Sequence, residues 1–448
     1  MMATLDRATS VAQTLQRLRE KEVDAVELTR DALERAKRCK SDINAFSKLD
    51  TERALTAAAE SDRRYREGRP RLLEGVPIAV KDMIDTAGCE TRYGSQAFVG
   101  NIPTRDARVV EILRQSGAII LGKTTTHEFA WGVTTASEAF GDTKNPVDPS
   151  RVPGGSSGGM AAAIAYGAVS AGLGTDTGGS VRIPAALCGT VGFKPTYGRL
   201  SSQGVFPLSK SLDHPGILGA TVADIEALAA AFGIVRGKLD GKLRIGVIEA
   251  LPPVPTDKTV QASFIDATTK LGSLGRLEAI TDTSIFEGLF DAFADTVLIE
   301  AGVHHSALHD QEFIKETYLR ETSSRVALAQ SKSVSDLTAA RVRTWEFQSE
   351  LELLFEDYDF LMMPTCPCVA PPRGVNEIQI DDWTGSERQA LMAYTSPFNL
   401  AGVPAISIPI GGSQAERGLP TGLQIIAPSG DDEALLALSR AVERCVST

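Results

Sequence analysis

The stretch that decides the fold is residues 153–192, PGGSSGGMAAAIAYGAVSAGLGTDTGGSVRIPAALCGTVG. It holds two glycine-rich loops, at 153–159 and 176–184, on either side of an alanine-rich segment, Met160–Leu173, that reads as a helix. Glycines at this density let a backbone approach a ligand closely and adopt positive φ angles. Such loops can also turn their N–H groups toward an anion. The stretch therefore predicts a site built largely from backbone.

The residues alone leave three interpretations of this stretch open. A phosphate-binding loop is disfavoured, because the stretch contains neither G-x-x-x-x-G-K-[ST] nor G-x-G-x-x-G. A nucleophile elbow is possible, since residues 154–158 match G-x-S-x-G, but it needs a histidine further along the chain. The chain has five histidines: His127, His214, His304, His305 and His309.

The third interpretation is a serine that is activated by a lysine instead of a histidine. Lys81 is the candidate, because it ends the apolar, strand-like run 75–81 and burial would keep its amine uncharged. Spacing alone favours a simpler role, that of a strand-end lysine whose amine reaches solvent.

Composition excludes several classes of protein. The 448 residues are 43% hydrophobic and 23% charged, values typical of globular proteins and unlike those of disordered chains. The net charge of −11 argues against a general nucleic-acid binder. The sequence shows no C-x-x-C pair, no signal-peptide core and no apolar run long enough to cross a membrane. We therefore expect a cytoplasmic protein without a metal or other cofactor.

Short apolar runs alternate with helical segments from residue 73 onward. The strand-like runs are Val76–Val80, Ala118–Leu121, Leu243–Ile248, Phe360–Met363, Ala405–Ile410 and Leu423–Ile426. This alternation predicts an α/β fold with a large mixed, mostly parallel twisted sheet and helices on both faces. We expect a single domain over residues 1–448. It would include an N-terminal helical layer at 1–70 and a helical insertion at 250–345 near the active-site entrance.

Several segments together resemble the amidase signature family of serine hydrolases. They are Val80-Lys81-Asp82, Gly122-Lys123-Thr124-Thr125, the loop 153–159, the run 178–186, Gly192-Phe193-Lys194-Pro195-Thr196 and Asn399-Leu400-Ala401-Gly402-Val403-Pro404. The resemblance runs from about residue 10 to the end of the chain and is weak at 250–345. It implies the amidase signature fold and, in place of the histidine-based alternatives, a serine–serine–lysine mechanism.

The resemblance also implies a role for individual residues. Ser180 would be the nucleophile, Ser156 the proton relay after a cis Gly155–Ser156 bond, and Lys81 the general base. Backbone N–H groups would hold the oxyanion, those of Thr177, Gly178, Gly179 and Ser180. Five residues would bind substrate: Phe129, Ala130, Trp131, Ser157 and Ile183. Arg182 would brace the nucleophile loop by an ion pair.

The function that this resemblance implies is a hydrolase for the amide C–N bond of a small substrate, through an acyl-enzyme on Ser180. Carbamates, urethanes and esters would be further substrates. We expect no nucleic-acid or membrane partner, and a homodimer. One alternative is the glutamine-using A-type component of a tRNA-dependent amidotransferase, whose loop typically reads Ser-Ile-Arg-Gln-Pro where this chain has Ile183. A second alternative is a binding protein without turnover.

Overall fold

Helices and strands alternate along the computed structural model, which describes residues 8–239, 241–411 and 418–446. The strands are β1 (Phe46–Leu49), β2 (Pro77–Lys81), β3 (Ile119–Thr124), β4 (Ala171–Asp176), β5 (Val191–Lys194), β6 (His214–Gly219), β7 (Leu243–Val247), β8 (Gly275–Ala279), β9 (Phe360–Pro364), β10 (Glu377–Ile380), β11 (Trp383–Ser386), β12 (Ala405–Ile410) and β13 (Thr421–Ile426). The helices are α1 (Val11–Arg19), α2 (Ala25–Ile43), α3 (Thr51–Arg66), α4 (Arg108–Gln115), α5 (Gly158–Tyr166), α6 (Arg182–Cys188), α7 (Val222–Ala229), α8 (Lys258–Lys270), α9 (Leu289–Leu308), α10 (Gln311–Thr317), α11 (Arg320–Ala329), α12 (Val334–Asp357), α13 (Glu387–Met392), α14 (Pro397–Leu400) and α15 (Asp432–Val446).

Eleven of these strands form one mixed sheet, in the order β1-β3-β2-β4-β6-β5-β12-β13-β9-β7-β8. The predicted large mixed sheet is confirmed. Its parallel pairs lie in two groups, β2 with β3 and β4, and β7 with β8 and β9. The other neighbours pair antiparallel, so antiparallel pairs outnumber parallel ones in the described sheet. The strands β10 and β11 form a separate hairpin.

Both faces of the sheet are packed against helices. Along β2, Ile78 and Val80 belong to one hydrophobic cluster, while Ala79 between them belongs to the other. Ile119 and Leu121 likewise face away from Ile120 on β3. Side chains alternate across a strand, so this division means that the sheet has a core on each side. The predicted two-sided helical cover is confirmed.

The segment Met160–Leu173 differs from its predicted form. The helix α5 stops at Tyr166, because Gly167 adopts φ +88° and ends it in a left-handed cap. The chain then enters β4 at Ala171. Alanine favours helices and occurs on both sides of Gly167, so the alanine pattern did not mark this boundary.

Two predicted regions contain strands as well as helices. The N-terminal layer holds α1, α2 and α3, and β1 between the last two helices pairs with β3. The region 250–345 holds α9, α10 and α11, but it also holds β8, which extends the main sheet beside β7. Whether these regions are separate units stays a prediction.

The pattern G-x-x-x-x-G-K-T does occur outside the stretch 153–192, at residues 117–124. The structure places most of it in β3, with Lys123 buried and its Nζ donating to Thr86 Oγ1 over 3.0 Å. This segment is therefore a core strand and does not form a phosphate-binding loop.

No helix among residues 8–239, 241–411 and 418–446 combines the length and the apolar character needed to cross a membrane.

Candidate active site

The predicted site forms where β2 and β4 end side by side. The two strands are parallel neighbours, so their carboxyl ends meet at one edge of the sheet. Lys81 is the last residue of β2 and is fully buried. Its Nζ lies 2.7 Å from Ser156 Oγ and 2.7 Å from Thr175 Oγ1. Sequence reasoning missed Thr175, although it directly precedes the second glycine-rich loop.

Burial changes the acid–base chemistry of Lys81. It lowers the pKa of the Lys81 amine to about 7, against the opposing effect of the carboxylates of Asp176 and Asp213. A substantial fraction of the amine is therefore uncharged at neutral pH. An uncharged amine has a lone pair that can accept a hydroxyl proton, while an N–H still donates to Thr175.

The first glycine-rich loop presents Ser156 to Lys81. The Gly155–Ser156 bond is cis, as the resemblance implies. A Cβ at residue 155 would stand 2.8 Å from the backbone N of Thr134, which explains why glycine is needed there. Thr135 Oγ1 donates to the Gly154 carbonyl over 2.8 Å and accepts from the Gly158 N–H over 3.1 Å. These bonds fix the loop on both sides of the serine.

The second glycine-rich loop carries Ser180, which is 5% exposed. A narrow pocket in front of it is lined by Thr177 and Gly178 as well as Ser180. The Ser157 N–H donates to the Ser180 carbonyl over 3.1 Å, which joins the two loops. The Gly179 N–H donates to Asp176 Oδ1 over 2.8 Å. Of the four predicted oxyanion donors, Gly179 is therefore already engaged.

A buried ion pair supports the nucleophile loop from behind. Arg182 Nη2 lies 2.9 Å from Asp176 Oδ1, and both side chains are fully buried. Burial by itself would raise the pKa of Asp176, but the charge and hydrogen bonds of Arg182, together with the charge of Lys194 and the hydrogen bond from Asn399, hold that pKa below its usual range. The same carboxylate accepts from the N–H groups of Gly179 and Val181. Arg182 thus occupies the bracing position that the sequence predicts.

A second carboxyl group, missed by the sequence reasoning, supports Thr177. Thr177 Oγ1 donates to Asp213 Oδ1 over 2.6 Å. Asp213 also accepts from the backbone N–H groups of Leu208 and Ser209. Burial raises the pKa of Asp213 to about 6 despite these bonds. No nearby sequence pattern marks this residue.

The five predicted substrate-binding residues fall into two groups. Ala130 and Trp131 line the pocket at Ser180, after a turn in which Phe129 and Ala130 adopt φ +48° and +59°. Phe129 instead packs in an aromatic cluster, with its ring centroid 5.2 Å from that of Phe206. Ser157 is buried, and its hydroxyl donates to the Thr175 carbonyl over 3.1 Å. Ile183 is 1% exposed and lies in the hydrophobic core.

A larger cavity of about 440 Å³ adjoins the narrow pocket. The two share Gly132, Val133 and Arg388. The remaining wall of the cavity comes mainly from the loop 134–143, from α11 and from residues 373–388. A substrate could therefore place its reacting group at Ser180 and extend into this cavity.

Comparisons with known proteins place the whole chain among its relatives. Residues 27–436 match the protein family described as Amidase. The A component of the glutamyl-tRNA(Gln) amidotransferase of Acidothermus cellulolyticus is 36% identical over 499 residues, covering 99% of this chain and 95% of that protein. A crystal structure of an amidase superposes with a TM-score of 0.90 and 32% identity, covering 98% of this chain and 100% of that chain. The A component of the Thermotoga maritima glutamyl-tRNA(Gln) amidotransferase gives a TM-score of 0.79 and 29% identity, covering 99% and 96%.

These relatives correct the main functional prediction. The main prediction was a hydrolase that acts on a small amide or carbamate and has no nucleic-acid partner. This prediction is wrong, because the curated relatives that match nearly the whole chain are named as amidotransferase components. The expected partner set, a small molecule alone with no nucleic acid, is wrong for the same reason, because those relatives are named for a reaction on tRNA. The wrong prediction depended on Ile183, because the amidotransferase pattern has glutamine at that position. In the structure Ile183 packs in the hydrophobic core and does not line the described pocket at Ser180.

The broader prediction is confirmed. The family match covers nearly the whole chain, and the family acts on amide C–N bonds. The fold and the motifs that carried the resemblance agree with that match. This chain therefore belongs to the amidase signature family.

Proposed function

We propose that this chain is the A-type component of a tRNA-dependent amidotransferase and that it releases ammonia from the side-chain amide of glutamine. The observation that carries the proposal is the 36% identity to the A component of the Acidothermus cellulolyticus amidotransferase over 99% of this chain. The proposal keeps the predicted cytoplasmic location and replaces the homodimer with partner proteins of the amidotransferase assembly.

In this proposal Lys81, Ser156 and Ser180 move one proton in sequence. Neutral Lys81 accepts the proton of Ser156, and Ser156 accepts that of Ser180. The Ser180 oxygen then forms a bond to the amide carbon. As the C–N bond breaks, the proton returns through Ser156 to the departing nitrogen, which leaves as ammonia. Water then hydrolyses the acyl-enzyme and restores Ser180. The 2.7 Å contact between Lys81 and Ser156 supports the first transfer.

The oxyanion of this reaction would be held by the N–H groups of Thr177, Gly178 and Ser180. We assign Gly179 a different role, because its N–H already donates to Asp176. The Asp176–Arg182 pair and the Thr177–Asp213 bond hold the donors in place before substrate binds. Losing one such donor typically costs about 3–4 kcal/mol of transition-state stabilisation.

The test is glutamine-dependent amidation of glutamyl-tRNA by this chain together with the partner proteins from its own organism. We expect glutamine to be consumed and amide to form on the tRNA, and Ser180→Ala to abolish glutamine consumption. If the complete assembly amidates no tRNA with glutamine while Ser180 still reacts with a fluorophosphonate, the chain is an amidase with another role. If folded wild-type protein gives no adduct on Ser180, it is a binding protein.

A further inference from the structure

Two neighbouring side chains on the wall of the large cavity lack partners. Arg388 lines both this cavity and the pocket of Ser180, yet its guanidinium makes no hydrogen bond or ion pair with the described residues. Glu387 is 6% exposed, and its Oε1 has no hydrogen-bond partner among those residues. Buried charged groups are normally paired, so the buried, unpaired Glu387 carboxyl beside the half-buried Arg388, both facing a cavity, indicates a missing ligand.

The other arginines of the cavity wall do not share this property. Arg325 pairs with Glu321 and donates to the Trp131 carbonyl. Arg373 pairs with Asp142 over 3.1 Å. Arg320 is exposed and can be hydrated. Arg388 therefore differs from these three arginines, because its side chain is half-buried and no described residue accepts a hydrogen bond from its guanidinium.

The electrostatics of the two groups agree with an absent counter-ion. Burial, and then the neighbouring Arg325, lower the pKa of Arg388 to about 9. Burial, and then Glu321, raise the pKa of Glu387 to about 7. An opposite charge bound beside each group would shift its pKa back toward the ordinary range.

We propose that Arg388 and Glu387 hold the charged end of the amide substrate, with a carboxylate on Arg388 and an ammonium group on Glu387. This inference rests on the proposed function, since glutamine carries both charges on the carbon at the far end from its amide. Arg388 borders the pocket of Ser180, so a ligand held there can still reach the nucleophile. Both residues are specificity determinants and take no part in proton transfer.

The test uses three amides: glutamine, glutaramate (the carboxylate without the ammonium group) and butanamide (neither charge). Their dissociation constants are measured by calorimetry with the Ser180→Ala variant, alone and combined with Arg388→Gln or Glu387→Gln. We expect Arg388→Gln to weaken binding of glutamine and glutaramate about 10- to 100-fold and to leave butanamide unchanged. Glu387→Gln should weaken glutamine alone. Arg276→Gln removes the same charge from an exposed position on β8 and should change none of the three.

The outcomes separate this inference from the proposed function. Unchanged glutamine and glutaramate binding in the Arg388→Gln variant overturns it, as does failure of the Ser180→Ala protein to bind either carboxylate. If glutaramate binds through Arg388 but the complete assembly never amidates tRNA, the inference stands and the proposed function fails. Thermal unfolding of each variant verifies that the fold is kept, and Arg388→Lys, which retains the charge, should keep part of the affinity.

Discussion

Lys81 shows how the partners of one buried side chain decide its chemistry. Three buried lysines lie in strands next to the site, and burial lowers the pKa of each. Lys123 donates to the Ile84 carbonyl and to Thr86 Oγ1, and Lys194 donates to the Val403 carbonyl, so neither of these lysines contacts a hydroxyl of the site. Lys81 instead faces two hydroxyls, those of Ser156 and Thr175. It can therefore act as a base, which spacing in the sequence could not establish.

Protonation of Lys81 should make the reaction depend on pH. Since the pKa of Lys81 is about 7, its amine is increasingly protonated as the pH falls below 7 and can no longer accept the Ser156 proton. We expect kcat/KM for glutamine to fall about tenfold per pH unit on the acidic side and to level off above pH 8. A pH–rate profile from pH 5 to 9 measures this. A flat profile between pH 5.5 and 8.5 would contradict the role of Lys81 as base.

A second prediction tests the hydroxyl that faces Lys81 opposite Ser156. Thr175→Val removes the acceptor of one Lys81 N–H while keeping the side-chain shape. We expect kcat/KM to fall about tenfold or more, because the amine is left partly unsatisfied and free to turn away from Ser156. Steady-state kinetics with glutamine check this.

The matched control for that variant is Thr190→Val. Thr190 is also buried, but its hydroxyl has no hydrogen-bond partner among the described residues. Replacing it with valine should leave activity unchanged and should not lower stability. Equal effects of the two substitutions would show that the Thr175 hydroxyl has no special relation to Lys81.

At the scale of elements, the sequence pattern found strands that are continuous runs of large apolar residues and missed others, among them β4, which is built mostly from small residues. The runs at 76–80, 243–248 and 405–410 correspond to β2, β7 and β12. The strand β4 was missed because its glycines carry no periodicity. They are required by close packing: a Cβ at Gly172 would lie 2.4 Å from the Ala79 carbonyl oxygen. Such a constraint comes from a neighbouring strand and is invisible in the local sequence.

The N-termini of α2 and α3 differ in their side-chain caps, and this difference predicts a difference in stability. Asp24 caps α2 by accepting from the Glu27 N–H over 2.7 Å, whereas Asp50 precedes α3 without a side-chain cap bond. Asp24→Ala should therefore lower the free energy of unfolding by about 0.5–2 kcal/mol and leave kcat unchanged. Asp50→Ala should have a smaller effect. Urea unfolding of both variants measures the difference, and equal losses would show that the cap bond contributes nothing.

At the scale of the whole molecule, the reacting groups could be predicted and the pocket could not. Lys81, Ser156 and Ser180 lie in motifs that the resemblance covers. Arg388 and Asp213 lie in segments without a recognisable pattern, and only folding brings them to the site. Binding residues often lie on loops that a rigid scaffold positions, so their roles depend on the tertiary structure.

Arg182 links segments that are distant in the chain, and its removal should affect the whole molecule. Its guanidinium donates to Asp176, to Asn399 Oδ1 over 2.6 Å and to Gln424 Oε1 over 2.6 Å. Arg182→Met leaves the buried carboxylate of Asp176 without its counter-charge, which typically costs about 3–5 kcal/mol. We expect urea unfolding to show a loss of that size, together with loss of glutamine hydrolysis, because Asp176 also holds the Gly179 N–H.

Two further variants make that prediction specific. Arg182→Lys keeps the charge but lacks the planar set of donors, so it should lie between wild type and Arg182→Met. Arg244→Met removes a surface arginine that pairs with Asp359 over 3.0 Å and should cost far less, because water replaces the lost partner. A loss for Arg182→Met no larger than that for Arg244→Met would mean that the nucleophile loop is held by its backbone bonds alone. The two glycine-rich loops would then owe their geometry to local structure, and the contacts from Asn399 and Gln424 would be incidental.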